Sequence, residues 1–222
     1  MVTACYVVWN EASHIAESIR SVKAYVDRFV VVDGAFSTNP VGRGPSTDGT
    51  RAEVERACGT TSLKYIIPSI SLLEHEARNW ALSEVDAGDW VLVLDGDEIF
   101  YGDFAKVRDS AVDVALSIYT TAVLFEGNAD MMDEEAYQTN PVISTAGQQP
   151  RFFRKTSGTL YQVKMVDVGG RRMSFVHLYR GLQEITGSLV EGAFIINRHV
   201  SQSFAGYQAD YAWESAQLVS AQ

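Results

Sequence analysis

An apolar run that ends in a cluster of acids constrains the fold of this chain more than any other feature. Residues 90–94 are aliphatic or aromatic, with Gly-Asp before them and Asp-Gly after them, which is typical of a strand buried on both faces of a parallel sheet. Three acids follow at once, Asp95, Asp97 and Glu98. Because ligands of open α/β sheets bind beyond the carboxyl ends of the strands, the sequence predicts carboxylates at a ligand cleft.

The first two of these acids are suited to a divalent cation. Gly96 lets the backbone between Asp95 and Asp97 leave the extended conformation, so that both carboxylates can face one ion. Mg²⁺ or Mn²⁺ held in this way keeps coordination positions for the phosphate oxygens of a nucleotide. The alternative is a simple β-hairpin, since Asp-Gly is a turn signal and residues 99–101 can form the return strand. These residues by themselves favour neither interpretation.

Composition narrows the class of protein. With 222 residues, 46% of them hydrophobic and 21% charged, the chain has the make-up of one globular α/β domain. The formal net charge of -10 argues against a nucleic-acid partner. Cys5 and Cys58 are predicted to be free thiols of a reducing compartment, and no run has the ~18 apolar residues of a membrane span. We therefore expect a cytoplasmic protein, with peripheral membrane attachment left open and no indication of the oligomeric state.

The first half of the chain alternates short apolar runs with helical patterns, which is typical of βαβ units. Ser13 is predicted to cap the first helix. In the third helix, Trp80 is predicted to face the sheet and Arg78 to lie on another face. The predicted strands are residues 3–9, 29–32, 63–67 and 90–94, and the predicted helices are residues 15–26, 50–57 and 72–85.

The second half is less regular. Residues 112–125 are predicted to form a strand beside the acidic one, and residues 126–149 form a long polar stretch of the kind that often serves as a functional lid. A mixed or antiparallel extension and a closing helix are expected after it. Its predicted strands are residues 151–154, 160–166, 172–178 and 193–200, and its helix is residues 204–219.

Four sequence segments occur together in a recognisable order and spacing. They are residues 8–12, residues 30–34 with 46–50, residues 77–82 and residues 89–98. Together they resemble the family 2 glycosyltransferases of GT-A fold, and residues 150–155 resemble a segment of the bacterial lipopolysaccharide-type members. The resemblance implies one Rossmann-like GT-A domain over residues 1–222, an α/β fold with a mixed, mainly parallel central sheet flanked by helices. Residues 1–100 would form the nucleotide-sugar-binding half and residues 101–222 the acceptor half.

The resemblance also implies roles for individual residues in donor binding. Asp95 and Asp97 are similar to the DxD motif, in which the second acid binds the Mn²⁺ or Mg²⁺ that bridges the donor's diphosphate and the first contacts the ribose or the metal. His199 is similar to a histidine metal ligand of some GT-A enzymes, and imidazole is an acceptable ligand for Mn²⁺. Residues expected at the nucleotide are Asn10, Glu11, Asp33, Arg78 and Asp95.

Structural roles compete with three of these assignments. Asp33 at the end of a strand also fits a residue that caps the following turn. Glu11 also fits an acid that complements a helix N-terminus. Arg78 also fits a solvated or salt-bridged side chain on a helix face.

The activity that the resemblance implies is metal-dependent transfer of a sugar from a nucleoside diphosphate to the hydroxyl of a saccharide or other acceptor, with inversion. Inversion requires a carboxylate that takes the acceptor's proton, and the candidates are the acids between Asp130 and Glu135, with Asp133 among them, and Asp167. The Val-His-Glu that lipopolysaccharide-type members carry after the matched segment is replaced here by residues 163–167. Two alternatives stay open, a nucleotidyltransferase, whose Gly-rich, Lys-containing loop is missing after the first strand, and a sugar-nucleotide binder without catalysis.

Overall fold

The computed structural model describes residues 1–39, 42–110, 116–122, 150–168, 171–185 and 188–197. Strands and helices alternate through the first hundred residues, and strands predominate in what is described of the remainder. In chain order the elements are β1 (Val2–Val8), α1 (Ile15–Val22), β2 (Arg28–Asp33), α2 (Thr50–Cys58), β3 (Ser62–Ile66), α3 (Glu74–Ser83), β4 (Trp90–Asp95), β5 (Glu98–Gly102), α4 (Phe104–Ser110), β6 (Leu116–Ala122), β7 (Phe152–Arg154), β8 (Thr159–Val168), β9 (Arg171–Arg180), β10 (Gln183–Glu184) and β11 (Ser188–Asn197).

A central sheet holds eight of these strands in the order β3-β2-β1-β4-β7-β6-β11-β5. Strands β3, β2, β1 and β4 are parallel neighbours, as expected of βαβ units. Strand β7 is antiparallel to β4 and β6, and β5 is antiparallel to β11. A separate sheet joins β10, β9 and β8 in antiparallel order. The sheet is therefore mixed and mainly parallel, as the sequence predicts.

Alternate residues of the central strands enter two cores, one on each face of the sheet. On β1, Tyr6 and Val8 pack with the apolar side of α1, whereas Cys5 and Val7 pack with α3. This alternation follows from the two-residue period of a strand, and it explains why β1 reads as a continuous apolar run. Cys5 and Cys58 are both free and buried, which confirms the prediction of free thiols.

The predicted place of the strand within residues 112–125 is wrong. Strand β6 occupies part of this range, but β7 lies between β4 and β6, with Leu92 and Leu116 both paired to Phe152. The side chains of Phe152 and Phe153 are fully buried, so this short strand fills both faces of the sheet at its centre. The hairpin alternative is also wrong, because β5 pairs with β11 and not with β4.

Two predicted side-chain roles near the helices are wrong as well. The Ser13 hydroxyl lies 2.8 Å from Nδ1 of His14 and does not cap α1; the first turn is closed by backbone bonds to the carbonyl of Glu11. On α3, Trp80 is 36% exposed and Arg78 is 9% exposed. The guanidinium turns inward because it reaches an acid at the end of β4. Among the described residues, no helix is both long and apolar enough to cross a membrane.

Candidate functional site

The acids after β4 form a tight turn, which we call the acidic turn (residues 95–98). The carboxylate of Glu98 closes it by accepting a hydrogen bond from the backbone N–H of Asp95 over 2.8 Å. Glu98 is only 1% exposed and Asp97 is 5% exposed, whereas the side chain of Asp95 is 31% exposed. The turn therefore directs its backbone away from β4 and presents one partly open carboxylate at the carboxyl edge of the sheet.

Two arginines contact the acidic turn, Arg78, which is buried, and Arg151, which is mostly buried. Arg78 Nη2 donates to Asp95 Oδ1 over 2.9 Å, and its Nε donates to Glu74 over 2.8 Å. Arg151 Nη2 donates to Glu98 Oε1 over 2.7 Å, and its Nη1 lies 3.8 Å from Asp95 Oδ2. Each oxygen of Asp95 thus has an arginine beside it, one from α3 and one from the chain just before β7.

Opposite charges keep these arginines protonated in spite of their burial. Burial acts to lower the pKa of Arg78, but Asp95 and Glu74 raise it well above its ordinary value. In the same way burial acts to lower the pKa of Arg151, and Glu98 with Asp95 raises it. Burial raises the pKa of Glu98 above its ordinary value, and the nearby Arg151 acts in the opposite direction. The cluster is an interdependent set of charges in a site of low solvent access.

The loop after β1 lies directly on the acidic turn. A Cβ atom at Gly96 would come within 2.7 Å of Glu11 Cγ, 3.0 Å of Glu11 Cβ and 3.2 Å of Val8 Cγ1. Only glycine leaves room for this approach. Glu11 is anchored at its backbone N–H, which donates to Thr50 Oγ1 over 2.8 Å. The carboxyl ends of β1 and β4 therefore meet at this point.

Hydrogen bonds fasten the same loop to the segment before α2. Asn10 has a φ of 55°, in the left-handed region that asparagine tolerates. Its side-chain oxygen accepts from the Thr47 N–H over 2.9 Å, and its own N–H donates to Ser46 Oγ over 2.8 Å. Asp48 accepts from the Ala12 N–H over 2.9 Å. These bonds fix the approach of the loop to the acidic turn.

Asp33 and Asp48 both act as local anchors. Asp33 is 1% exposed, and its carboxylate accepts from the N–H and hydroxyl of Ser46 over 3.0 and 2.5 Å and from the Tyr65 hydroxyl over 2.8 Å. Asp48 Oδ1 accepts from the N–H and hydroxyl of Thr50 at the start of α2. Burial acts to raise the pKa of Asp48, but its hydrogen bonds outweigh this and lower it. For Asp33 this geometry corresponds to the turn-capping alternative, and its contact with a base stays a prediction.

An apolar pocket lies at the carboxyl ends of β2 and β3. The segment after β2 closes one side of it, and the start of α3 closes the other. Ala77 of α3 lines the pocket and immediately precedes Arg78, so one turn of helix borders both the pocket and the acidic turn. Residues that line the pocket include Val32, Gly34, Phe36, Pro68, Leu72 and Ala77.

The predicted catalytic bases lie apart from this cluster or outside the described residues. Asp167 is at an exposed position of β8 and pairs with Arg172 of β9. The bonds between Asn79 and the backbone of Tyr161 attach β8 to α3, and Asp167 is about 20 Å farther along that strand. Asp133 lies outside the described residues.

The predicted metal ligands are only partly described. Asp95 and Asp97 share the acidic turn, and His199 lies outside the described residues. The last described residue before it, Asn197, pairs through its backbone with Glu98. Within the described ranges, no group of three or more His, Cys, Asp or Glu side chains is arranged to hold a metal ion.

Sequence reasoning does not assign a role to Glu98 or Arg151. Glu98 belongs to the predicted acid cluster, and Arg151 opens the predicted strand at residues 151–154, so both positions carry a signal. Their partnership joins positions 53 residues apart. This ion pair could not be predicted without knowing that β7 lies next to β4.

The sequence matches no protein-family model and no curated protein. Solved structures similar to this one include glucosyl-3-phosphoglycerate synthase from Mycobacterium tuberculosis in complex with Mn²⁺, UDP-glucose and phosphoglyceric acid, at 14% identity and a TM-score of 0.54 over 99% of this chain and 79% of that chain. S. aureus TarS is similar at 21% identity and a TM-score of 0.44, over 69% of this chain. This chain spans 28% of the TarS chain. The similarity to the synthase over nearly the whole chain confirms the predicted fold, and the protein has the GT-A fold of the glycosyltransferases that its sequence resembles.

Proposed function

We propose that this protein is a glycosyltransferase that uses a nucleoside diphosphate sugar and a divalent cation. The observation that carries the proposal is the convergence of three strand ends, with Glu11 after β1 packed on Gly96 after β4 and the apolar pocket after β2 sharing α3 with the acidic turn. Ligands of such sheets bind at this edge. We place the nucleoside beside the apolar pocket and the diphosphate at the acidic turn, where a cation joins it to the carboxylates.

The residues of the acidic turn fit a divalent cation. Carboxylate oxygens are the ligands that Mg²⁺ and Mn²⁺ prefer, and Asp95 and Asp97 supply them at the acidic turn. We propose that Asp97 is the main ligand and that Asp95, held by Arg78, is a ligand or a ribose contact. When bound, the cation neutralises the charge that grows on the leaving diphosphate.

We propose His199 as a further ligand. Asn197 pairs with Glu98, and two residues of extended chain span at most about 7 Å from Cα to Cα. This short connection agrees with the role that the resemblance implies for His199. A His199→Ala variant that binds Mn²⁺ as tightly as the wild type would contradict this assignment.

Other residues are proposed to shape the nucleotide site and to activate the acceptor. Asn10 and Asp33, through the bonds to Ser46, hold the two loops that border the nucleotide pocket. We propose an inverting transfer in which a carboxylate takes the proton of the acceptor hydroxyl. Of the predicted bases we favour the acids between Asp130 and Glu135, with Asp133 among them, because Asp167 belongs to the distal part of β8.

A donor screen tests this function. The protein is mixed with UDP-, GDP- and CMP-sugars with and without Mn²⁺, and its melting temperature and slow donor hydrolysis are measured. Binding at 100 times Kd would stabilise the fold by about 2.7 kcal/mol. We expect Mn²⁺-dependent stabilisation by one nucleotide class together with hydrolysis. Nucleotide binding with neither donor hydrolysis nor transfer to any acceptor would favour a non-catalytic binder. If a nucleoside triphosphate is supplied instead of the donor, release of pyrophosphate would favour a nucleotidyltransferase.

A matched pair of variants localises the effect. Asp97→Asn is expected to abolish Mn²⁺-dependent stabilisation, which is measured as the shift from this variant's own ligand-free melting temperature. Asp86→Asn changes an exposed acid before the amino end of β4 and is expected to behave as the wild type. Equal losses in both variants, or no loss in Asp97→Asn, would remove the acidic turn from the proposal.

A further inference from the structure

We propose that Glu98 and Arg151 form a positioning pair that fixes the conformation of the acidic turn and thereby sets its affinity for a divalent cation with its diphosphate. This inference rests on the proposed function. Neither residue needs to contact the donor. Both act through the backbone and side chain of Asp95 and, by closing the turn, through the direction of Asp97.

Glu98 uses each of its carboxylate oxygens for a different part of the turn. Oε2 accepts from the backbone N–H of Asp95 over 2.8 Å, and Oε1 accepts from Arg151 over 2.7 Å. A bond from a side chain to the N–H three residues earlier closes a loop that contains both Gly96 and Asp97. Because Glu98 is 1% exposed, water does not compete for these bonds, and the turn has little freedom to open.

Arg151 holds the acidic turn from the segment that pairs with β4. Its carbonyl accepts from the Val93 N–H over 2.8 Å, so its backbone is paired with β4. Its side chain is 13% exposed and lies between the carboxylates of Glu98 and Asp95. Arg78 holds the other oxygen of Asp95 from the opposite side. Asp95 is thereby held between two cations, and its position is set before any ligand binds.

The energetics favour a positioning role over a purely stabilising one. A buried ion pair adds little stability compared with apolar residues of similar volume, because desolvation offsets the attraction. Groups that hold metal ligands in place, in contrast, typically contribute about 10- to 100-fold to metal affinity. The placement of this pair directly behind the acidic turn matches that second kind of contribution.

The test uses Arg151→Met and the matched control Arg154→Met. Arg154 is the last residue of β7 and follows Arg151 closely in the chain; it is exposed and donates to the carbonyl of Gly88 before the amino end of β4. Two quantities are measured in the full chain, the hydrogen-exchange rate of the Asp95 amide without ligand and the Mn²⁺ affinity in the presence of UDP. In Arg151→Met we expect faster Asp95 exchange and about 10- to 100-fold weaker Mn²⁺ binding. In Arg154→Met we expect neither change.

A double-mutant cycle separates the pair from general destabilisation. Glu98→Gln preserves the shape of the side chain but not its charge, and the Glu98→Gln/Arg151→Met variant removes the pair altogether. If the two residues act together, the double variant loses no more Mn²⁺ affinity than the single variant with the larger loss. Arg151→Lys is then expected to keep part of the affinity that Arg151→Met loses. Multiplied losses in the double variant would overturn the pairing.

The outcomes also distinguish this inference from the proposed function. Wild-type protein that binds no Mn²⁺ and UDP would refute the proposed function and the predicted effect on affinity. The Asp95 exchange rate would still decide whether the pair fixes the turn. A folded Arg151→Met protein with wild-type Asp95 exchange would overturn the inference even if the wild type binds the nucleotide.

Discussion

Gly96→Ala probes the contact between the loop after β1 and the acidic turn. The new Cβ would lie 2.7 Å from Glu11 Cγ and 3.2 Å from Val8 Cγ1, closer than unstrained carbon atoms approach. Overpacking of this kind costs about 1–3 kcal/mol, and the reduced entropy of the unfolded chain returns about 0.4–1 kcal/mol. From the middle of both ranges the expected net loss is about 1.3 kcal/mol, or roughly 3–5 °C in melting temperature for a chain of this size.

Thermal unfolding followed by circular dichroism measures this loss, with Gly34→Ala as the control. A Cβ at Gly34 would meet its nearest neighbour at 3.7 Å, an ordinary contact. Its melting temperature is therefore expected to stay at or slightly above the wild-type value. The affinity for Mn²⁺ with UDP is measured in the same proteins, and we expect a decrease in Gly96→Ala, because the strain must displace either Glu11 or the turn itself.

The identity of the clashing atom allows a second check. Glu11→Ala removes the Cγ atom at 2.7 Å, so the Glu11→Ala/Gly96→Ala variant is expected to recover most of the lost stability. If Gly96→Ala melts at the same temperature as Gly34→Ala, or if removing the Glu11 side chain restores nothing, the loop does not lie on the turn in the manner described.

Three further predictions concern the supporting contacts. Arg78→Met leaves Asp95 without its partner on α3, and urea denaturation should show a loss of about 2 kcal/mol; an unchanged midpoint would contradict the ion pair. Burial raises the pKa of Cys5 to about 12 and that of Cys58 to about 11, so a thiol reagent at pH 8 should modify both only after unfolding. Asp48→Ala should cost about 1 kcal/mol at pH 7. Because the pKa of Asp48 is lowered in the folded protein, the wild type is more stable than Asp48→Ala above the ordinary pKa of Asp, and this extra stability is lost as the pH falls below that value. A stability difference between the two proteins that does not change with pH would contradict the hydrogen bonds to the Asp48 carboxylate.

The strands of the first half could be predicted because burial on both faces leaves a plain apolar signature. The prediction for the acidic strand, residues 90–94, differs from β4 by only one residue at its end. Strand β7 could be predicted as a strand but not placed, since three residues carry no periodicity that identifies their neighbours. Its central position depends on the burial of Phe152 and Phe153, which is a property of the assembled sheet.

Some residues of the candidate site could also be predicted from the sequence, and others could not. The acids of the turn could be predicted at the edge of the sheet because they directly follow an apolar run that is typical of a strand buried on both faces. The inward direction of Arg78 is not visible, because helical periodicity favours burying Trp80 and only the charge of Asp95 reverses that preference. Long-range polar pairs such as Glu98 with Arg151 lie beyond local patterns, since their value depends on which strands become neighbours.

The most direct test of the central claim is the affinity for UDP measured by titration calorimetry with and without Mn²⁺, in the wild type and in Asp97→Asn. If the acidic turn holds a cation that in turn holds the diphosphate, the wild type binds UDP tightly only with Mn²⁺, and Asp97→Asn binds it equally weakly in both conditions. UDP binding that is independent of Mn²⁺ in the wild type, or that keeps its full Mn²⁺ dependence in Asp97→Asn, would contradict the account.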